Sequence, residues 1–67
     1  MNERFLRLPE VMETVGLRRT AIYDKISRRE FPTPVKIGNL SRWLKSEITA
    51  WMDEKAQDRA EEYREAG

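Results

Sequence analysis

The sequence predicts a mainly α domain carrying one small β-hairpin. Three observations point there. Apolar residues recur at helical spacing around Val11, Ile22 and Ile48, a glycine separates the first two of these stretches, and the segment FPTPVKIGNLSRWL alternates as strands do. Sixty-seven residues allow one domain with a thin core. We take residues 1–67 as that domain, with its core over about 5–52 and a charged, helical tail over 53–67.

The chain opens with Phe5, Leu6 and Leu8, an apolar patch suited to a short extended arm. Pro9 fits the first position of a helix, where its missing N–H costs nothing, and Glu10 follows in the turn that favours acids. Val11, Met12 and Val15 form one buried stripe, and Gly16 is a left-handed stop, so this helix has only about two turns. A second helix runs from near Arg18 to about Arg29, with Ile22 and Ile26 inward and Leu17 packing at its entry. Pro32 and Pro34 then push Phe31 and Thr33 into extended conformations. Val35 and Ile37 alternate with Lys36, Gly38-Asn39 makes a tight turn, and residues 41–44 return as the second strand, with the basic residues toward the outside. Ser46 is the expected N-cap of a third helix that buries Ile48, Trp51 and Met52. Trp43 and Trp51 are assigned to the core, base stacking by Trp43 being the alternative.

Composition removes several functions. With no cysteine and no histidine, zinc fingers, thiol chemistry and imidazole catalysis are excluded, and we expect no cofactor and no metal. There is no phosphate-binding glycine loop and too little chain to enclose a substrate pocket, so an enzyme and a small-molecule ligand are not expected. No stretch approaches the roughly 20 apolar residues of a membrane span. MNERFLRLPE does not read as a signal peptide, and a cytoplasmic location is expected. The net charge of +1 hides an asymmetry. Residues 1–45 hold ten Lys/Arg against five Asp/Glu, net +5, whereas residues 46–67 hold three against seven, net −4.

The stretch GLRRTAIYDKI sharpens this reading. Helix, glycine turn and second helix form the helix-turn-helix arrangement, which generic helical hairpins share. Arg18 and Arg19 oppose the dipole at the start of the second helix, at about 0.3–1 kcal/mol each when exposed. The penalty disappears when a phosphate or guanine edge lies against that end. The alternative is a solvated helix with incidental arginines. On the DNA-binding reading, Arg19 donates twice to guanine, Thr20 meets a base edge or thymine methyl, and Tyr23 reaches a phosphate. Ser27 and Arg28 meet the backbone one turn on. Asp24 pairs with Arg28 or accepts from a cytosine amino group, and we prefer the ion pair. Lys36, Asn39, Ser41 and Arg42 surround the hairpin turn, either along the DNA backbone, in a minor groove, or merely solvated. The acidic tail is a solvated helix or a surface for a second copy, an integrase or RNA polymerase.

Residues 7–52, RLPEVMETVGLRRTAIYDKISRREFPTPVKIGNLSRWLKSEITAWM, resemble the AlpA-type prophage regulators and their excisionase relatives. The elements that carry the resemblance are Glu10-Val11, Gly16-Leu17, Ile22-Tyr23, Phe31-Pro32 with Pro34, Lys36 before Gly38, Trp43, Ser46-Glu47-Ile48 and Ala50-Trp51. Such proteins are small winged helix-turn-helix domains, distantly similar to the DNA-binding part of MerR regulators. The resemblance implies transcriptional regulation of a prophage or mobile element, with the second helix in the major groove and the hairpin wing near the minor groove. Arg19, Thr20 and Tyr23 match the recognition helix, and Arg42 the wing. Arg18 stands where the family usually has a serine, and Asp24 and the wing sequence also depart from the pattern. An excisionase bending DNA beside an integrase is the alternative within this class, and a protein-interaction adaptor the alternative outside it.

Overall fold

Two residues near the start of the chain complete a sheet that sequence patterning reads as a hairpin alone. In the computed structural model, which describes residues 3–66 and their side chains through residue 59, Phe5–Leu6 form strand β1. This strand pairs antiparallel with β3, Leu40–Leu44, placing Phe5 opposite Leu44 and Leu6 opposite Trp43. Strand β2, Val35–Ile37, pairs with the other side of β3, so the sheet order is β1-β3-β2. Helix α1 spans Leu8–Val15, α2 spans Arg19–Ser27, and α3 spans Lys45–Ala66. Three helices and a small antiparallel sheet make a mainly α fold of the winged helix type.

The helix boundaries follow from their residues. Pro9 lies in the first turn of α1, and the Glu10 carboxylate accepts the Arg7 backbone N–H at 3.0 Å. Arginine has no acceptor to return the bond, so only the glutamate half of a capping box forms. Gly16, at φ 72°, closes α1 by donating its N–H to the Met12 carbonyl at 2.9 Å. Helix α2 ends with Glu30 N–H reaching back to Lys25 O at 2.8 Å and Arg29 N–H to Ile26 O at 3.0 Å. This is the Schellman pattern, with Arg29 at φ 61° in the left-handed position that glycine ordinarily takes.

Leu6, Val11, Ile22, Phe31, Trp43 and Ile48 form the core, one from each element except β2, with Phe31 from the α2–β2 connection. Trp43 is its largest member; it is fully enclosed, and its indole N–H donates to Pro32 O at 3.0 Å. Phe31, which sequence reading placed only as an extended residue before proline, is 5% exposed and packs edge-on against Trp51 at 4.8 Å. Trp51 itself is half-buried. Its N–H donates to Glu30 O at 2.9 Å, and Lys55 lies over its ring at 5.9 Å.

The expected N-cap role of Ser46 does not hold. Helix α3 begins one residue earlier, at Lys45, and the Ser46 hydroxyl instead donates to Glu3 Oε2 at 2.5 Å. Glu3 Oε1 accepts the Ser46 backbone N–H at 3.2 Å, and Lys45 N–H donates to Arg4 O at 2.9 Å. A carboxylate from the amino-terminal arm therefore occupies the positive end of α3, the end where an anion is favoured. Among the described side chains, those of α3 that pack on the body are Ile48, Trp51 and Met52, in its first turns. Residues 53–59 are all exposed. In the sequence Ala56, Ala60 and Tyr63 continue a faint apolar stripe, and the last two of these lie outside the described side chains.

Candidate nucleic-acid interface

Helix α2 turns one side inward and the rest outward by its own period. Ile22 is fully buried and Ile26 packs on the core, which leaves Arg19, Tyr23, Ser27, Thr20, Asp24 and Arg28 on a continuous exposed arc. Arg18 is the N-cap, with extended backbone (φ −82°, ψ 161°) and no capping bond from its side chain. Its carbonyl accepts the Ile22 N–H at 3.0 Å, which starts the helix. The first turn holds no acidic residue. The amino end of α2 thus combines free backbone donors, the positive dipole end and two exposed guanidinium groups.

Neighbouring arginines are treated differently. Arg4 and Arg7 both approach Glu10, at 3.4 and 4.0 Å, and Arg28 pairs with Asp24 at 3.2 Å as the helical spacing predicts. Among the described residues neither Arg18 nor Arg19 has a carboxylate partner. Arg19 lies instead over the Tyr23 ring, 5.8 Å from its centroid. Tyr23 is 38% exposed and meets the edge of Trp43 at 6.3 Å, with an interplanar angle of 68°. The tyrosine is therefore partly a packing residue, held between a surface arginine and the core tryptophan of β3.

In the hairpin, cross-strand partners share a face. Lys36 opposes Ser41, and its Nζ donates to Ser41 Oγ at 2.6 Å, on the face that also carries Trp43. Arg42 opposes Val35 and so projects from the other face, with Nη1 donating to the Ser41 carbonyl at 2.9 Å. The two-residue turn fixes a register that places Lys36 and Arg42 on opposite faces of the hairpin. Asn39 is exposed at the turn itself. Ser27 donates its hydroxyl to the Asp24 carbonyl at 2.7 Å, within its own helix.

Two carboxylates are tuned by this framework. The Arg7 amide is the main cause holding Glu10 below its ordinary value, helped by the charges of Arg4, Arg7 and Arg42. The Ser46 hydroxyl and amide hold Glu3 down in the same direction. Sequence reading missed the part Glu3 plays, since a contact across 43 positions leaves no local signal.

Elsewhere, an open groove of about 670 Å³ separates the end of α2 from α3, where Phe31 and Trp51 are flanked by Lys25, Lys55, Glu47 and Glu54. Among the described residues no cluster of acids, cysteines or histidines could hold a metal ion, and no helix is long and apolar enough to cross a membrane.

A short helix, a glycine turn, a second helix with an exposed cationic start, and a hairpin that meets it through Trp43 and Tyr23 together define a winged helix-turn-helix module. The chain belongs to the AlpA family: the profile described as "Prophage CP4-57 regulatory protein (AlpA)" matches residues 4–56. It is also 55% identical over 51 residues to "Uncharacterized protein ORF88" of Enterobacteria phage P4. That match covers 75% of this chain and 58% of the phage protein, so the chain spans little more than half the length of this relative. No solved structure matches the chain.

Proposed function

We propose that this chain regulates prophage or mobile-element genes by binding duplex DNA, with the amino end of α2 in the major groove. The observation that carries the reading is the pair Arg18 and Arg19, exposed at a helix start with no carboxylate partner among the described residues. Charge placed there is unfavourable in water and favourable against phosphate or guanine. Membership of a prophage regulatory family supports the same reading.

In this account Arg19 reads guanine and Thr20 a neighbouring base edge, while Arg18 and the Tyr23 hydroxyl contact phosphates. Lys36, Asn39 and Ser41 lie toward the adjacent backbone. Ser27, Arg28 and Arg42 play lesser parts, Arg28 because Asp24 already neutralises it and Arg42 because it is half-buried and its guanidinium already donates to the Ser41 carbonyl.

Selection of bound duplexes from a randomised pool tests the reading. A recovered consensus that relaxes at one base position in Arg19→Ala, with a loss of about 1–3 kcal/mol on the preferred site, supports it. Equal loss on every sequence demotes Arg19 to a phosphate contact. An excisionase uses the same reader, so footprinting on the element separates the two: protection of a promoter marks a regulator, and repeated sites in an attachment region mark an excisionase.

A further inference from the structure

The tip of the hairpin carries what a phosphate-contacting loop has no use for. Ile37 and Leu40 face each other directly across the Gly38-Asn39 turn and are 46% and 52% exposed. Gly38 has φ 61° and Asn39 does not have positive φ, the signature of a tight II′ turn, so only these two turn residues lie beyond the apolar pair at the end of the wing. Val35, 37% exposed, extends the strip along the same face.

Resting on the DNA-binding reading above, we propose that the wing tip is an apolar wedge. Ile37 and Leu40 enter the minor groove beside the α2 site and partly unstack one base step, bending the duplex. Apolar side chains are used in this way at minor-groove kinks, and pyrimidine–purine steps open most readily.

Charge and area favour DNA as the occupant. Residues 31–46 contain Lys36, Arg42 and Lys45 and no carboxylate of their own; Glu10 is felt by Arg42 and Glu3 by Ser46, while Lys36 is the charge next to Ile37 at the tip. A two-fold contact with a second copy would bring those like charges together. A few half-exposed side chains also fall well short of the roughly 800 Å² per partner that a stable protein interface buries. At the tip, Asn39 supplies an amide donor for the acceptors that line the minor groove. The Tyr23–Trp43 contact ties β3 to α2, so the wing is held beside the helix that occupies the neighbouring groove.

The test uses the full chain and a duplex enriched by it from a randomised pool, with 2-aminopurine placed at successive steps. The wild type should raise fluorescence several-fold at one step and bend the duplex in a resonance-energy-transfer measurement. Ile37→Thr/Leu40→Thr, which keeps strand-forming residues at both positions, should retain the α2 footprint, lose the fluorescence rise and bind about 5- to 50-fold more weakly, a range set by loss of a few apolar contacts. If the double variant melts early, Leu40→Thr alone carries the same readout. A bound wild type with every step stacked overturns the wedge while leaving DNA binding intact; failure to bind any duplex overturns both. An unchanged fluorescence rise in the variants, or a sedimenting dimer that they dissolve, also overturns it, the latter by assigning the strip to self-association.

Discussion

Tyr23 and Trp43 join α2 to the wing, meeting edge to face with their centroids 6.3 Å apart. One residue is on the outer arc of α2 and the other is the fully enclosed centre of β3. The pair makes the positions of helix and hairpin interdependent. It also divides Tyr23 into a ring that packs and a hydroxyl that is free to bind.

That division can be measured. Tyr23→Phe should leave the melting temperature nearly unchanged, because the ring contact survives. DNA affinity should fall by a factor of about 2–12, the worth of one hydrogen bond of roughly 0.5–1.5 kcal/mol. Equal affinity for the two proteins would remove the hydroxyl from the interface.

Arg18 should show opposite effects on folding and binding. It is an N-cap without an acceptor, so Arg18→Ser supplies the missing cap and should stabilise the fold by about 0.5–2 kcal/mol in a thermal or denaturant melt. The same change should weaken DNA binding on all sequences alike and make its salt dependence shallower by about one unit. A variant that is more stable and binds as well as the wild type would mean that Arg18 does not meet phosphate.

Much of the fold is legible in the sequence because its signals are local. The 3–4 spacing of apolar residues gives all three helices, Gly16 gives the turn between the first two, and Asp24–Arg28 follows from one helical turn. Strand β1 is different: two residues carry no periodicity, and their pairing with β3 depends on where α1, α2 and β2 return the chain. Ser46 misled for a related reason. It has the chemistry of a cap, but Glu3 reaches the same helix end from 43 positions away and fixes a different start. The faces of the wing were available in principle, since strand alternation and a two-residue turn place Lys36 and Arg42 on opposite sides. The exposed tip pair, Ile37 and Leu40, follows from that same register.

The two positive-φ helix ends should respond in opposite directions. Gly16→Ala forces a side chain into φ 72° although no atom within 4 Å crowds it, so the cost is conformational, about 1 kcal/mol. Arg29→Gly relieves the same strain at φ 61° and should be neutral or stabilising by up to about 1 kcal/mol. Denaturant melts of both variants check this. Clear destabilisation by Arg29→Gly would show that the arginine side chain contributes more than its backbone conformation costs.

Acid should loosen the fold through Glu3 and Glu10. Both carboxyls are held below their ordinary value of 4.5 by bonds that exist only in the folded chain. A depressed folded-state value means that the stabilisation is present above the unfolded value and is lost as pH falls through the folded one. The melting temperature should therefore drop between about pH 5 and pH 3, and less steeply in Glu3→Gln/Glu10→Gln. Equal slopes in the two proteins would place the acid-sensitive groups elsewhere.

The most direct test of DNA binding through the cationic end of α2 is the salt dependence of affinity for a selected duplex. Arg18 and Lys36, with smaller contributions from Arg28 and Arg42, should make log K fall against log salt with a slope of roughly −2 to −4. Arg18→Ala/Arg19→Ala should flatten it by about one unit, the share of the phosphate contact made by Arg18. A wild-type slope near zero, or one that the double variant leaves unchanged, would contradict the account.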